Sequence, residues 1–216
     1  MQTDKEEMNA TAKTTRFTEV LKNEAALYGV TLATPVLAGL AKYYEVLDLW
    51  NARVHLVAPC SPEEFATRHV LESLVLLKHL PANARVAEVG AGGGLPIIPN
   101  LIARPDLRAI LIESARKKAV FLREALTQTG TAARANIINE RFENVAMPPV
   151  GFVTCRALER FEEMLPNLLA WAPAKATLLL FGAKRLETRI ESLGFSSMAE
   201  LLPRSNGRFL FIVNKP

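Results

Sequence analysis

The sequence predicts an α/β fold, a doubly wound and mostly parallel sheet of seven strands carried behind a helical N-terminal extension. Three observations lead there. The first 80 residues show helical periodicity and no strand signal of any length. Five short apolar runs then alternate with helix-length segments or loops, as in βαβ units whose strands are buried on both faces. The chain closes on two further apolar runs around Ser205-Asn206-Gly207, a turn signal for a β-hairpin.

Taken in order, residues 1–14 are polar, and a disordered tail is expected there. From Arg16 to Tyr28, Phe17, Val20, Leu21, Ala25 and Leu27 recur at helical spacing. A second helix is predicted from Pro35, in its first turn, to Asn51. Trp50, Tyr43 and Tyr44 fall at helical spacing with Leu47 and are read as core. "SPEEFATRHVLESLVLLKHL" (61–80) reads as a third helix. There Ser61 is the N-cap, Pro62 takes the first helical position and Glu64 completes a capping box. These helices form an extension over 15–80.

The sheet domain is expected over 81–216. Its strands are "RVAEV" (85–89), "AILIE" (109–113), "NIIN" (136–139), "GFVTC" (151–155) and "ATLLLF" (176–181), then "MAELLP" and "RFLFIV". The helix after the second strand is predicted to begin at Ser114 and to bury Ala115, Ala119, Leu122 and Leu126.

Composition bounds the function. Half of the 216 residues are hydrophobic, enough for a sizeable core, yet no run reaches the roughly 18 apolar residues of a membrane span. The N-terminus lacks an apolar signal core, so a cytoplasmic protein is expected. Cys60 and Cys155 make neither a disulfide framework nor a zinc cluster. His55, His69 and His79 are not at ligand spacing, and no metal site is expected. A net charge of +4 suits a polyanionic partner.

The stretch "EVGAGGGLPIIPN" (88–100) carries the chemistry. It follows the first strand, where open α/β sheets bind their ligands. No Lys-Ser or Lys-Thr follows the glycines, so it is not a phosphate-gripping P-loop. A dinucleotide fingerprint needs a third glycine at 95, and that residue is Leu. The spacing is Gly90-x-Gly92-x-Gly94, with acidic Glu88 two residues before it. This variant suits S-adenosylmethionine, whose methionyl tail passes close to the turn backbone and which has no pyrophosphate to anchor. A second carboxylate should then hold the ribose hydroxyls. Glu113 ends "AILIE" at close to the roughly 20-residue spacing expected for that group.

With these residues in place, the chain resembles the bacterial RsmG (GidB) ribosomal RNA methyltransferases. The likeness runs through "WNARVHLV" (50–57), "RHVLESL" (68–74), "EVGAGGGLPIIP" (88–99), "IESARKKAVFL" (112–122) and "CRA" (155–157). It implies the Rossmann-like fold of class I S-adenosylmethionine methyltransferases, with S-adenosylmethionine as cofactor. The acceptor it implies is N7 of one guanosine in the 530 loop of 16S rRNA, as naked RNA or within the small ribosomal subunit. Carried over by position, the cofactor would touch Gly90 and Leu95. Adenine would lie near Phe142 and Glu143, and Arg156 would complete the pocket. The chain departs from the family's usual pattern at His55-Leu56-Val57, Glu72, Ile97 and Phe181, with Lys184 the base nearest to Phe181.

Methylation at guanine N7 needs no catalytic base, because N7 carries a lone pair and no proton. Positioning is then the protein's contribution, and no catalytic residue is expected. The loop "TCRALERF" lacks the Asn/Asp-Pro-Pro-aromatic motif of exocyclic-amine methyltransferases. Cys155 could serve as the nucleophile of a carbon-5 pyrimidine methyltransferase, but a small buried residue is the favoured reading.

On the RNA side, Arg116, Lys117 and Lys118 open a helix, where cations oppose the helix dipole. A local rule broken this way suggests a functional demand, met by an RNA phosphate. Arg68, His69 and Arg123 join them as RNA-side candidates, His69 by stacking on a base or touching phosphate. A monomer without membrane contact is expected. The rival readings are a methyltransferase with another RNA or small-molecule acceptor, and a catalytically silent RNA-binding module on the same fold.

Overall fold

The computed structural model describes residues 2–156 and 161–215, with side chains described from residue 8. The residues 157–160, which complete "CRA" and fill most of "TCRALERF", lie outside the described residues.

Helix α1 (Gln2–Glu24) overturns the disordered tail expected over 1–14. Phe17 and Leu21 are fully buried and anchor its C-terminal half, with Phe17 stacked on Tyr44 at 4.6 Å. Once those turns are fixed, each further turn adds hydrogen bonds at low entropic cost, so the polar half is carried along. Lys13 pairs with Asp48 at 2.9 Å, and the hydroxyls of Thr15 and Thr18 bond carbonyls one turn back. Helix α2 (Thr34–Val54) has Pro35 in its first turn as expected, runs past Asn51 to Val54, and buries Leu37, Leu40, Tyr43, Tyr44, Val46 and Leu47.

The third predicted helix is present but not uniform. A short α3 (Pro62–Glu64) passes into a π-helical stretch (Phe65–Leu71), then into α4 (Glu72–Leu74) and a 3-10 turn (Val75–Lys78). Only half of the capping box forms. The Ser61 hydroxyl accepts from the Glu64 N–H at 3.1 Å, while the Glu64 carboxylate takes Arg68 at 2.9 Å instead of reaching back.

The sheet follows as read, with β1 (Arg85–Val89), β2 (Arg108–Ile112), β3 (Ala135–Ile138), β4 (Phe152–Cys155), β5 (Thr177–Ala183), β6 (Met198–Leu201) and β7 (Arg208–Asn214). Its order is β3-β2-β1-β4-β5-β7-β6. The first five strands are parallel, and β7 runs antiparallel between β5 and β6. Strand order reverses between β1 and β4, so the carboxyl end of β1 is the switch point where ligands bind.

The helices between the strands are α5 (Ile97–Ala103), α6 (Arg116–Gln128), α7 (Phe161–Trp171) and α8 (Arg185–Ser192). They divide the core in two. Val86 of β1 faces the core that includes the N-terminal helices, and Ala87 and Val89 face the core that includes the α7 and α8 side chains Leu165 and Ile190. Period-2 alternation therefore turns Glu88 toward the N-terminal helices.

Helix α6 begins at Arg116, two residues later than expected, and Ala115 is exposed. The Glu113 carboxylate explains the delay: it takes the Ala115 N–H at 2.7 Å and holds that residue extended at φ −77°, ψ 112°. The buried stripe is Ala119, Phe121, Leu122, Ala125 and Leu126.

Candidate functional site

At the carboxyl ends of β1 and β2 the chain encloses a cavity of about 460 Å³. Its floor is the glycine turn, with Gly90, Ala91, Gly92, Gly93 and Leu95. Glu113, Ser114, Ala115 and Lys118 form one wall, His69 and Arg156 another, and Leu56, Val57 and Ala58 the lip.

The turn is tied to β2 at its start, where the N–H groups of Gly90 and Ala91 both donate to the Ile112 carbonyl at 3.0 and 3.1 Å. Two of its glycines answer different demands. A Cβ on Gly92, which sits at φ +51°, would meet only the Gly90 carbonyl at 3.7 Å, so this face is open for a ligand to approach. A Cβ on Gly94, at φ +77°, would stand 2.3 Å from Ile98 Cδ1, so Gly94 is needed for packing against α5.

Glu113 is nearly buried and ties the floor to its own wall. Its Oε2 accepts the Gly92 N–H at 2.8 Å and its Oε1 the Ala115 N–H at 2.7 Å. Each carboxylate oxygen keeps a lone pair for a ligand hydroxyl. Asn139 fixes the backbone here by donating to the Glu113 carbonyl at 2.7 Å.

Glu88, expected to touch the cofactor, lies wholly buried and does not line the cavity. Its Oε2 accepts the Ile97 N–H at 3.2 Å, and Oε1 has no hydrogen-bond partner among the described residues. Burial pushes its carboxyl well above the usual range, and the Ile97 N–H and the Arg156 charge offset only part of this. The fold therefore holds a proton here that the unfolded chain releases above its ordinary pKa of about 4.3. Stability from this group is complete at low pH and declines as pH rises. Glu88→Gln, a neutral mimic of the protonated acid, should be more stable than wild type in urea unfolding at pH 8 and close to it at pH 5. Equal stabilities at pH 8 would mean that Glu88 is ionised in the fold.

Arg156 follows β4 and is locked from several sides. Its Nη1 donates to the Ser73 hydroxyl at 3.1 Å and the His69 carbonyl at 3.3 Å, and its Nη2 to Glu72 at 2.9 Å and to the Arg68 carbonyl. The Phe181 ring lies under the guanidinium at 5.2 Å. Glu72 is itself fully buried and takes a second arginine, Arg208 of β7, through Nε at 2.9 Å and Nη2 at 2.7 Å. The π-helical stretch thus presents the Arg68 and His69 carbonyls to Arg156, as π-bulges often do at functional sites. His69 remains neutral because burial, then the charges of Arg156, Arg68 and Arg208, lower its pKa to about 3.

The other expected site residues divide. Phe142 is buried edge-on against Trp171 at 5.8 Å, and Glu143 is exposed beside Arg141; neither lines the cavity. Cys155 is wholly buried and does not line it either. Of the basic helix start only Lys118 reaches the cavity, while Arg116, Lys117 and Arg123 are exposed on α6. Arg68 is exposed and paired with Glu64.

Four supporting residues were given no site role by the sequence. Asn51 holds the lip, its Oδ1 accepting the Leu56 and Val57 N–H groups at 2.8 and 3.0 Å. Asn100 bonds the carbonyls of Ser73 and Pro96 at 2.9 and 2.8 Å. With Glu72 and Ser73, these are polar residues inside apolar helical patterns, which is the signal that could have found them.

A family model described as GidB, rRNA small subunit methyltransferase G, matches residues 37–212. The chain is 33% identical over 197 residues to the ribosomal RNA small subunit methyltransferase G of Sorangium cellulosum, spanning 88% of this chain and 80% of that protein. To the protein of the same name from Chromobacterium violaceum it is 35% identical over 153 residues, 70% of this chain and 72% of the other. Solved structures are similar at lower identity. An O-methyltransferase from Bacillus cereus in complex with SAH gives a TM-score of 0.57 at 16% identity, covering 81% of this chain and 91% of that one. A ribosomal protein L11 methylase from Lactobacillus delbrueckii subsp. bulgaricus gives 0.56 at 12%, covering 69% and 79%. At such identities the likeness is one of fold, and it bears out the expected methyltransferase sheet.

Proposed function

The chain belongs to the rRNA small subunit methyltransferase G family, and from that premise we propose that it methylates N7 of a guanosine in the 530 loop of 16S rRNA, using S-adenosylmethionine. The observation that carries this reading is Glu113 at the end of β2, bonded to the open glycine turn and facing the cavity of about 460 Å³. That volume lies in the range of small-molecule cofactor sites. Glu113 would hold the ribose hydroxyls, and Gly90, Gly92 and Leu95 the methionyl tail. The turn supplies no cation for a pyrophosphate, which favours a cofactor without one.

S-adenosylmethionine, when bound, supplies a methyl group on an electrophilic sulfonium. The protein's own contribution is orientation. His69, whose pKa of about 3 makes its neutral ring a poor proton acceptor, and Arg156, bonded through both Nη atoms, border the cavity, in keeping with an acceptor nitrogen that has no proton to lose. Phe181 and Ile97, two of the departures from the family pattern, each have a packing role: Phe181 underlies Arg156, and Ile97 is core. Purified protein should transfer methyl groups to unmodified small subunits or naked 16S rRNA. Cofactor binding with no transfer to either would favour the silent module.

The RNA face is assigned to Lys118 at the cavity mouth, with Arg116, Lys117 and Arg123 along α6 and Arg68 and His69 across from them. Arg116, Lys117 and Lys118 make no ion pair among the described residues. Replacing these three with Gln should flatten the plot of log RNA affinity against log salt by about two units, since each phosphate contact contributes about 0.7–0.9. S-adenosylmethionine affinity should change little. An unchanged slope would assign the three to solubility. Action on ribosomal RNA fits a cytoplasmic protein, and among the described residues no helix is long and apolar enough to cross a membrane.

A further inference from the structure

A second recess, of about 330 Å³, opens at the amino ends of β1, β2 and β3, the opposite edge of the sheet from the glycine turn. β1 has five residues, and at about 3.3 Å per residue the two edges stand roughly 16 Å apart. Arg85 and Arg108 are register partners across β1 and β2. Ala109 pairs with Ala135 across β2 and β3, so Arg134, one residue earlier, falls in the same row. Three cations thus occupy successive places across three strands, and all three line the recess.

Like charges set directly opposite one another destabilise a sheet. Here no carboxylate among the described residues forms an ion pair with any of the three. Arg85 and Arg108 are exposed and form no ion pair among the described residues. Asp106, the carboxylate that acts on Arg134, is committed to Arg104 at 2.7 and 2.5 Å and to the Asn83 N–H at 2.7 Å. Among the described residues no acidic side chain lines the recess.

Arg134 is held in place. Its Nη1 donates to the carbonyls of Arg104 and Leu107 at 3.1 and 3.4 Å, and its Nη2 to that of Leu101 at 2.8 Å. Its pKa is lowered by burial first, and the Arg108 charge adds to this. The result is one fixed charge and two exposed guanidinium forks around a concave floor that includes Val86, Ala109 and Ala135. Guanidinium forks match the paired oxygens of a phosphate.

We propose that this recess binds a phosphate group, with Arg85 and Arg108 as its ligands and Arg134 as the fixed third charge. The group is either a backbone phosphate of RNA or a free phosphate compound. The RNA source rests on the methyltransferase reading, as a second contact on the same substrate.

The test uses the whole protein and R85Q/R108Q. Both side chains are exposed, and Arg134, which bonds the end of α5, is left intact. In one arm inorganic phosphate is added at constant ionic strength, with chloride as control, while thermal unfolding is followed. Wild type should gain melting temperature with phosphate beyond chloride, and the double variant should lose that gain. In the other arm RNA affinity is followed against salt. Loss of two contacts flattens the slope by about 1.4–1.8 units.

A flattened slope, with or without the phosphate effect, assigns the site to RNA. Loss of the phosphate effect with the slope unchanged assigns it to a free phosphate compound. A wild type that responds to phosphate as to chloride, with both proteins sharing one salt slope, overturns the proposal. S-adenosylmethionine affinity should be the same in both proteins, and the phosphate arm is read without methyl transfer. Failure here is therefore distinguishable from failure of the methyltransferase reading.

Discussion

Glu113→Ala should weaken S-adenosylmethionine binding by about 1–3 kcal/mol in calorimetry, a loss of roughly 5- to 150-fold. Two effects add. A charged acceptor for the ribose hydroxyls disappears, and the N–H groups of Gly92 and Ala115 lose the carboxylate that orients them. Glu113→Gln separates the two, because its single amide oxygen can keep one of those backbone bonds or accept from the ligand. It should fall between wild type and Ala. NAD and ATP should give no signal with any of the three proteins. Tight NAD binding to wild type would contradict the cofactor assignment.

Glu72→Ala should destabilise the fold by about 3–5 kcal/mol, the cost of leaving buried cations without their carboxylate. Arg156 supplies most of it, since its side chain is 13% exposed, whereas Arg208 at 40% is partly screened by water. Glu72→Asp keeps the charge but loses one methylene of reach toward two arginines, one just past β4 and one on β7. It should therefore lie between wild type and Ala in urea unfolding. Methyl transfer should fall further than stability alone explains, because Glu72 fixes the guanidinium at the cavity wall. A Glu72→Ala protein as stable as wild type would mean that the network contributes nothing to the fold.

The strands were legible because parallel strands covered on both faces leave unbroken apolar runs such as Val86-Ala87 and Leu178-Leu179-Leu180. Helix interiors were legible from the spacing of residues such as Leu40, Tyr43, Tyr44 and Leu47. What escaped depends on partners far along the chain. The delayed start of α6 is set by a carboxylate whose other oxygen grips Gly92. Arg156, distant in sequence from Arg68 and His69, meets their carbonyls within the π-helical stretch. Local composition made residues 1–14 look unstructured, yet α1 continues through 2–14 from turns anchored by Phe17 and Leu21.

At the candidate site, the glycine turn at the end of β1 was readable because its spacing is a local requirement of the backbone, and Glu113 because it ends a strand run. Glu88 shares the motif, but strand alternation turns it beneath the turn instead of into the cavity. Phe142 and Glu143 rested on resemblance alone, and the structure gives Phe142 to the core. Of the basic run, only the third residue of α6, Lys118, reaches the cavity.

The most direct measurement is nucleoside mass spectrometry of ribosomal RNA from cells with and without this gene. The account predicts the loss of one 7-methylguanosine from 16S rRNA, mapped to the 530 loop and restored by the wild-type gene but not by Glu113→Ala. An unchanged 7-methylguanosine content, with the loss falling on another nucleoside or on none, would contradict it.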